Sequence, residues 1–372
     1  MHEKFIRELT KQGINFFTGV PDSYLNGFCS YLTKNISKQN HVIAANEGNA
    51  VAIAAGHYFA TGTPSLVYMQ NSGLGNAINP LVSLVDQNVY SVPMILVIGW
   101  RGEPGTNDWA QHKRQGEITI ELLNQMHISY EILRENTDIT VSVEKAVSTI
   151  KEKKTVYAFV VPKGIFSEKK KKIDDISYPM SREEAIETIL LNMPEDTIYA
   201  ATTGRATREL YFLREKYGHA HDHDYLNVGA MGHASSVALG LALANKNRQI
   251  VCLDGDAAAI MHMGSFAIQG RMEASNLIHI VLNNGAHESV GGEPSAGFAI
   301  DFTGIAKSCG YCTWNAPVTD RQELCEALKQ LRTRDCPAFI DVRIHQGISD
   351  TLTSLKVSHS DLIQEFMKEM GN

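Results

Sequence analysis

Apolar runs of strand length alternate with helically spaced segments along the first half of the chain. Residues 14–17, 41–44, 65–70, 94–99 and 156–161 read as buried strands, and the stretches between them as helices. That alternation predicts βαβ units and a parallel sheet. It breaks at 166–179, where lysines run from 169 to 172, and a solvated linker is the expectation there. Ser181-Arg-Glu-Glu184 then has the form of a capping box. A second alternating series follows, with strands expected at 198–201, 225–228, 249–253, 277–282, 311–314 and 338–344. The pattern predicts two α/β domains of similar size, 1–165 and 181–372, with 166–180 between them.

A hydrophobic fraction of 44% with 20% charged residues belongs to a globular protein able to bury a large core. The net charge of −7 disfavours nucleic acid as a partner, so an anionic substrate would need basic groups gathered locally. The segment MHEKFIREL is charged throughout and lacks the apolar stretch of a signal peptide. No run approaches the roughly 18 apolar residues of a membrane span. A cytoplasmic chain without a membrane partner is expected, its six cysteines reduced. Cys309 and Cys312 have the spacing of a redox or zinc pair, but they stand alone and read as structural. His219-Ala-His-Asp-His-Asp224 would suit a metallohydrolase; no second ligand cluster matches it, and a surface loop is expected.

The densest chemistry lies in 249–292. A buried strand ends on Asp254-Gly255-Asp256 and enters a helix expected over 257–269; a second apolar strand ends on Asn283-Asn284-Gly285. Two such strands place Asp256 and Asn283 together at the carboxyl edge of a parallel sheet, where open α/β sheets bind ligands. A carboxylate, an amide oxygen and a carbonyl from the Gly285 turn are hard donors suited to Mg²⁺, and helix N–H groups beside them suit a diphosphate.

Gly255-Asp256, followed 27 positions after Asp256 by Asn283 and then Gly285, resembles the metal-diphosphate motif of thiamine-diphosphate enzymes. Ala257 stands where that family usually has glycine; alanine is acceptable in a helix and strained at positive φ. The resemblance implies two doubly wound parallel-sheet domains of the thiamine-diphosphate-binding fold, pyrimidine-binding before the linker and diphosphate-binding after it, without a middle domain. It implies thiamine diphosphate and Mg²⁺ as cofactors, with Asp256, Asn283 and Gly285 as metal ligands and Gly255 and Ala257 beside the diphosphate. Glu47, at the start of a small-residue helix, matches the family's carboxylate that hydrogen-bonds the pyrimidine. In Gly229-Ala-Met-Gly232, Met231 matches the apolar wedge between the coenzyme rings, and the Gly229 carbonyl would accept from the 4′-amino group.

The substrate loops are Thr18-Gly-Val-Pro-Asp-Ser-Tyr24, Gln70-Asn-Ser-Gly-Leu-Gly75 and Gly99-Trp-Arg-Gly-Glu-Pro-Gly105 with Asp108 and Gln111-His112. They resemble those of family members that decarboxylate 2-oxo acids bearing a phosphonate; members acting on a sulfonate are similar. Asp22, Ser23, Arg101 and Lys113 are thereby candidate substrate contacts. His112, His287 and Glu288 are candidate proton donors that the sequence does not rank. The expected activity is decarboxylation of a small anionic 2-oxo acid. The reading from a different class is a coenzyme-binding protein without turnover. The family also implies an obligate homodimer or larger homo-oligomer, with the Glu47 domain of one subunit facing the Asp256 domain of another.

Overall fold

The computed structural model describes residues 1–168, 178–347, 352, 353, 355 and 357–371, so the lysine run at 169–172 lies outside the described residues. The chain divides into two compact units: Met1–Lys171 with His287–Glu293, and Lys172–Ala286 with Pro294–Asn372.

The first unit holds strands β1 (Phe17–Gly19), β2 (His41–Ile43), β3 (Ser65–Gln70), β4 (Met94–Gly99), β5 (Ser129–Ile132) and β6 (Val156–Val161). They form one sheet in the order β2-β1-β3-β4-β6-β5 with parallel neighbours. β4 and β6 are buried along their whole length, which is why they read as unbroken apolar runs. Ile14 is buried just ahead of β1 rather than within it, so the strand begins later than the apolar run suggests. Phe5, Phe28, Phe159 and Phe166 pack on one face of the sheet, and Val51, Leu74, Ile98 and Leu123 on the other. Phe166, at the start of the expected linker, is thus core. β5 was not expected: it is an edge strand with no fully buried residue, and its mixed polarity hides the period.

The second unit holds β7 (Ile198–Ala201), β8 (Asp224–Leu226), β9 (Ile250–Gly255), β10 (Leu277–Asn283), β13 (Cys312–Thr313) and β14 (Ala338–Arg343), in the order β13-β14-β10-β9-β7-β8, again with parallel neighbours. Two-residue strands β11 (Ala286–His287) and β12 (Glu293–Pro294) pair as a short ribbon. Ser181 and Glu184 close the anticipated capping box. The helix expected over 257–269 is two, Asp256–Met261 and Ser265–Arg271, separated by the turn at His262–Gly264.

Cys312 is disulfide-bonded to Cys336, with Cα atoms 5.9 Å apart, whereas Cys309 is free. This corrects the expectation of six reduced cysteines. β13 lies beside β14, and the Cys312 N–H donates to Pro337 O at 2.9 Å, so the sheet brings together two thiols far apart in sequence. No helix among the described residues is long and apolar enough to cross a membrane.

The winding direction of the first sheet reverses between β1 and β3 and that of the second between β7 and β9, and each reverses again at the far edge, where β6 lies inside β5 and β14 inside β13. The carboxyl edge at such a reversal is the place where an open α/β sheet leaves a crevice for a ligand. The polar constellations described next all lie at carboxyl ends of strands, after β1 to β4 in the first sheet and at β8, β9 and β10 in the second.

Candidate active site

Glu47 opens the helix Glu47–Thr61, whose cap is Asn46, its side chain accepting from the Asn49 N–H at 2.9 Å. The Glu47 side chain is buried, and Asn76 Nδ2 donates to its Oε2 at 2.7 Å. Gly73, from the short helix after β3, packs against the same carboxyl so tightly that a β-carbon there would strike Glu47 Cγ, Cδ and Oε1. The carboxyl is therefore held on two sides.

The loops after β1 and β4 meet in a second cluster. Asp22 is fully buried and accepts from Gln70 Nε2 at 2.6 Å and from the Tyr24 N–H at 3.0 Å. Burial raises its carboxyl above the usual range, against the Gln70 hydrogen bond and the Arg101 charge. Arg101 grips Asp108 through Nε (2.7 Å) and Nη2 (2.5 Å), and its Nη1 donates to Ser23 Oγ at 3.2 Å. Burial opposes ionisation of Asp108, yet Arg101 and the Trp109 and Gly102 N–H groups hold its carboxyl well below the usual range. His112 lies on the following helix, Ala110–Gln125, and burial, then the Arg101 charge, lowers its pKa to about 4. Lys113 beside it is exposed. His287 is buried, which lowers its pKa to about 4; it and half-buried Glu288 group with this first unit.

In the second unit, Asp256 and Asn283 end up as neighbours at the tips of β9 and β10. Asn283 is fully buried, and its Nδ2 donates to Gly297 O (2.9 Å) and to Asp341 Oδ1 (3.1 Å). With both amide protons engaged, its oxygen faces the other way, toward Asp256: a β-carbon on Gly297 would strike Asp256 Oδ2 and Asn283 Oδ1 together. Burial raises the Asp256 carboxyl to about 6, opposed by the Ser295 hydroxyl and by the N–H groups of Asp256, Ala257 and Asn284. Ala257 lies in the helix Asp256–Met261 and has negative φ, so the substitution for glycine carries no backbone strain.

Met231 is half-buried in the turn before the helix Ala234–Ala244, and His233 Nδ1 bonds its carbonyl at 3.2 Å. Ala230 has φ +48, an uncommon conformation for alanine that concentrates strain beside Met231. The Gly229 N–H donates to Asn227 Oδ1 at 3.3 Å. The histidines of 219–224 part company: His221 stacks on Tyr211 and bonds Glu215, whereas His223 bonds Glu195 O and Glu369.

Residues 1–128 match the family model "Thiamine pyrophosphate enzyme, N-terminal TPP binding domain", and residues 203–342 match "Thiamine pyrophosphate enzyme, C-terminal TPP binding domain". The chain is 32% identical to the phosphonopyruvate decarboxylase of Streptomyces viridochromogenes over 96% of its own length and 92% of that protein. It belongs to the thiamine pyrophosphate-dependent decarboxylase family. The phosphonopyruvate decarboxylase of Streptomyces hygroscopicus is 30% identical over 96% of this chain and 91% of its own. The sulfopyruvate decarboxylase of Methanosarcina acetivorans is 26% identical, over 93% and 91%.

The donors present suit the family's coenzyme. Asp256 and Asn283 turn two hard oxygens onto one point that only a glycine at 297 leaves open, a chemistry fitted to a small divalent cation and phosphate oxygens. Several members of these constellations gave no signal in the pattern. Asn76 is one polar residue in the helix Leu74–Ser83, and Ser295 and Gly297 lie in a loop and a turn like any others. Asp341 and Arg343 carried a faint signal, since opposite charges two residues apart share one face of a strand that is otherwise apolar.

Proposed function

We propose that this protein converts 3-phosphonopyruvate to phosphonoacetaldehyde and CO₂, with thiamine diphosphate and Mg²⁺, as a step in phosphonate biosynthesis. One observation carries the choice of substrate. Two phosphonopyruvate decarboxylases match nearly the whole chain at 32% and 30% identity, against 26% for the sulfopyruvate enzyme.

Bound thiamine diphosphate supplies a carbon nucleophile for the 2-oxo carbon and a sink for the electrons released with CO₂. Asp256, Asn283 and the Gly285 carbonyl would hold Mg²⁺, with Gly255 and Ala257 beside the diphosphate. Glu47 would share a proton with the pyrimidine ring, its carboxyl fixed by Asn76. Met231 would wedge the two rings into a bent shape, and the Gly229 carbonyl would accept from the 4′-amino group; both act by proximity rather than acid–base chemistry.

Product formation requires a proton at the carbon that lost CO₂. At neutral pH the low pKa values of His112 and His287 make both neutral imidazoles. An anionic substrate close to either would favour its charged form and so prime it as a donor. His112 is the stronger candidate of the two because it shares a cluster with Asp22, Ser23 and Arg101. Glu288 is the remaining candidate. We further propose an obligate homodimer or larger homo-oligomer in which Glu47 of one copy serves Asp256 of another.

The test is CO₂ release by purified protein with thiamine diphosphate and Mg²⁺, comparing phosphonopyruvate, sulfopyruvate and pyruvate at equal concentration. Preference for phosphonopyruvate supports the proposal; preference for sulfopyruvate overturns the substrate and keeps the chemistry. Coenzyme binding without release from any of the three would favour a binding role.

A further inference from the structure

Arg101 is the obvious candidate for an anionic head group, and its surroundings argue against that assignment. Only 12% of its side chain is exposed, and 6% of Asp108's. All three guanidinium nitrogens are engaged, two by Asp108 and the third by Ser23 Oγ. The guanidinium also lies over the Tyr24 ring, 4.7 Å from its centroid, and the Tyr24 hydroxyl donates to Asp108 Oδ2 at 3.1 Å. Gly102 and Trp109 N–H groups complete the shell of Asp108, at 2.9 and 2.8 Å. One N–H on each Nη nitrogen remains, but the charge of the guanidinium is matched by Asp108, and a phosphonate that drew Arg101 away from that pair would leave Asp108 charged and unpaired in a buried place. The pair has no net charge to offer.

Ser23 is placed differently. It opens the short helix Ser23–Leu25 at the carboxyl end of β1, at the edge where the sheet reverses direction, and it is half-buried. Its oxygen accepts from Arg101, so its own proton is left to donate. A hydroxyl whose lone pair is held by a cation donates more strongly to an anion.

We infer that Arg101 and Asp108 form a clamp that orients Ser23, and that the Ser23 hydroxyl, rather than the Arg101 guanidinium, contacts the substrate's anionic head group. The inference rests on the substrate proposed above. Arg101, Asp108 and Tyr24 are then positioning residues, and they govern preference between head groups through Ser23.

The experiment measures kcat and KM with phosphonopyruvate and with pyruvate, which lacks the head group, for the wild type, Ser23→Ala, Arg101→Lys, Asp108→Asn and the Ser23→Ala/Asp108→Asn double variant. Wild type that does not prefer phosphonopyruvate sinks the substrate assignment, and the clamp's role with it. Given that preference, each single variant should lower it about tenfold, mostly by raising KM for phosphonopyruvate, as expected for one lost hydrogen bond to an anion. The double variant should be no worse than the poorer single one, because both changes remove the same contact. Coenzyme affinity should stay unchanged in all four. A direct contact from Arg101 gives the opposite pattern: Arg101→Lys keeps the preference, and Asp108→Asn, by freeing the guanidinium, keeps or raises it. That pattern, or additive losses in the double variant, overturns the inference. Should Asp108→Asn fold poorly, Arg101→Lys and Ser23→Ala alone decide between the two.

Discussion

Asn76 donates to Glu47 Oε2 at 2.7 Å while Gly73 closes on the opposite side of the same carboxyl. Removing the amide leaves Glu47 in place with one oxygen unheld. Asn76→Ala should therefore lower kcat by about tenfold, the cost of one hydrogen bond to a charged group, with coenzyme affinity changed little. Steady-state kinetics beside a coenzyme titration separates the two. Unaltered kcat would remove Asn76 from the mechanism. Gly73→Ala should be worse, because its methyl group displaces the carboxyl itself.

Gly297 gives the matching prediction for the metal. A methyl group at that position collides with Asp256 and Asn283 at once, so Gly297→Ala should weaken Mg²⁺ binding by well over tenfold, as large as loss of a ligand. Magnesium titration of coenzyme binding reads this without reference to substrate. An unchanged Mg²⁺ requirement would show that the two oxygens do not act together.

Asp341 stands one step further back. It accepts from Asn283 Nδ2 and is paired with Arg343 at 3.0 Å, so it fixes which end of the Asn283 amide faces Asp256. Asp341→Asn keeps an oxygen for that bond but weakens the pair with Arg343. Roughly a tenfold loss of Mg²⁺ affinity is expected, the usual effect of a group supporting a metal ligand. Asp341→Ala should cost more and also destabilise the second unit, since Arg343 is left buried and uncompensated. A tenfold loss in Asp341→Asn with an unchanged melting temperature would separate orientation from stability; no loss would mean that Asn283 is held by Gly297 O alone.

These supporting residues mark the limit of what the chain discloses before it is folded. Strands β3, β4, β6 and β7 appear at the residues where apolar runs put them, because burial on both faces leaves no polar interruption. β5 escaped notice for the converse reason. The placement of Asp256 after β9, Asn283 at the end of β10 and Glu47 after β2 is legible because a strand end is a definite place in an open sheet. Asn76, Asp341 and Gly297 hold those residues from distant parts of the chain, and that relationship exists only once the sheets have formed. Arg101 likewise has a partner that its place in the sequence does not disclose. Its basic character suggested an anion contact, while Asp108, seven residues on, had already claimed it.

One buried and two half-buried histidines set a pH limit on the first unit. His41, His112 and His287 each have a folded pKa of about 4, against 6.5 for the free side chain, with burial the first cause in every case. Between those values the unfolded chain takes up protons that the folded unit refuses. The stability each contributes is complete above pH 6.5 and is lost as pH falls toward 4, at up to about 1.4 kcal/mol per pH unit. Buried Asp22 and Glu293 act in the opposite direction, since burial raises their pKa values and the folded state protonates first. The histidine effect is therefore read as a difference between proteins. Among the described residues the His41 ring bonds the Tyr68 hydroxyl, at 2.9 Å, and it lies outside the proposed chemistry. Urea unfolding of wild type and His41→Asn at pH 7, 6 and 5 should show the wild type losing stability relative to the variant at each step downward. A constant difference across that range would mean that His41 titrates alike in the folded and unfolded chains.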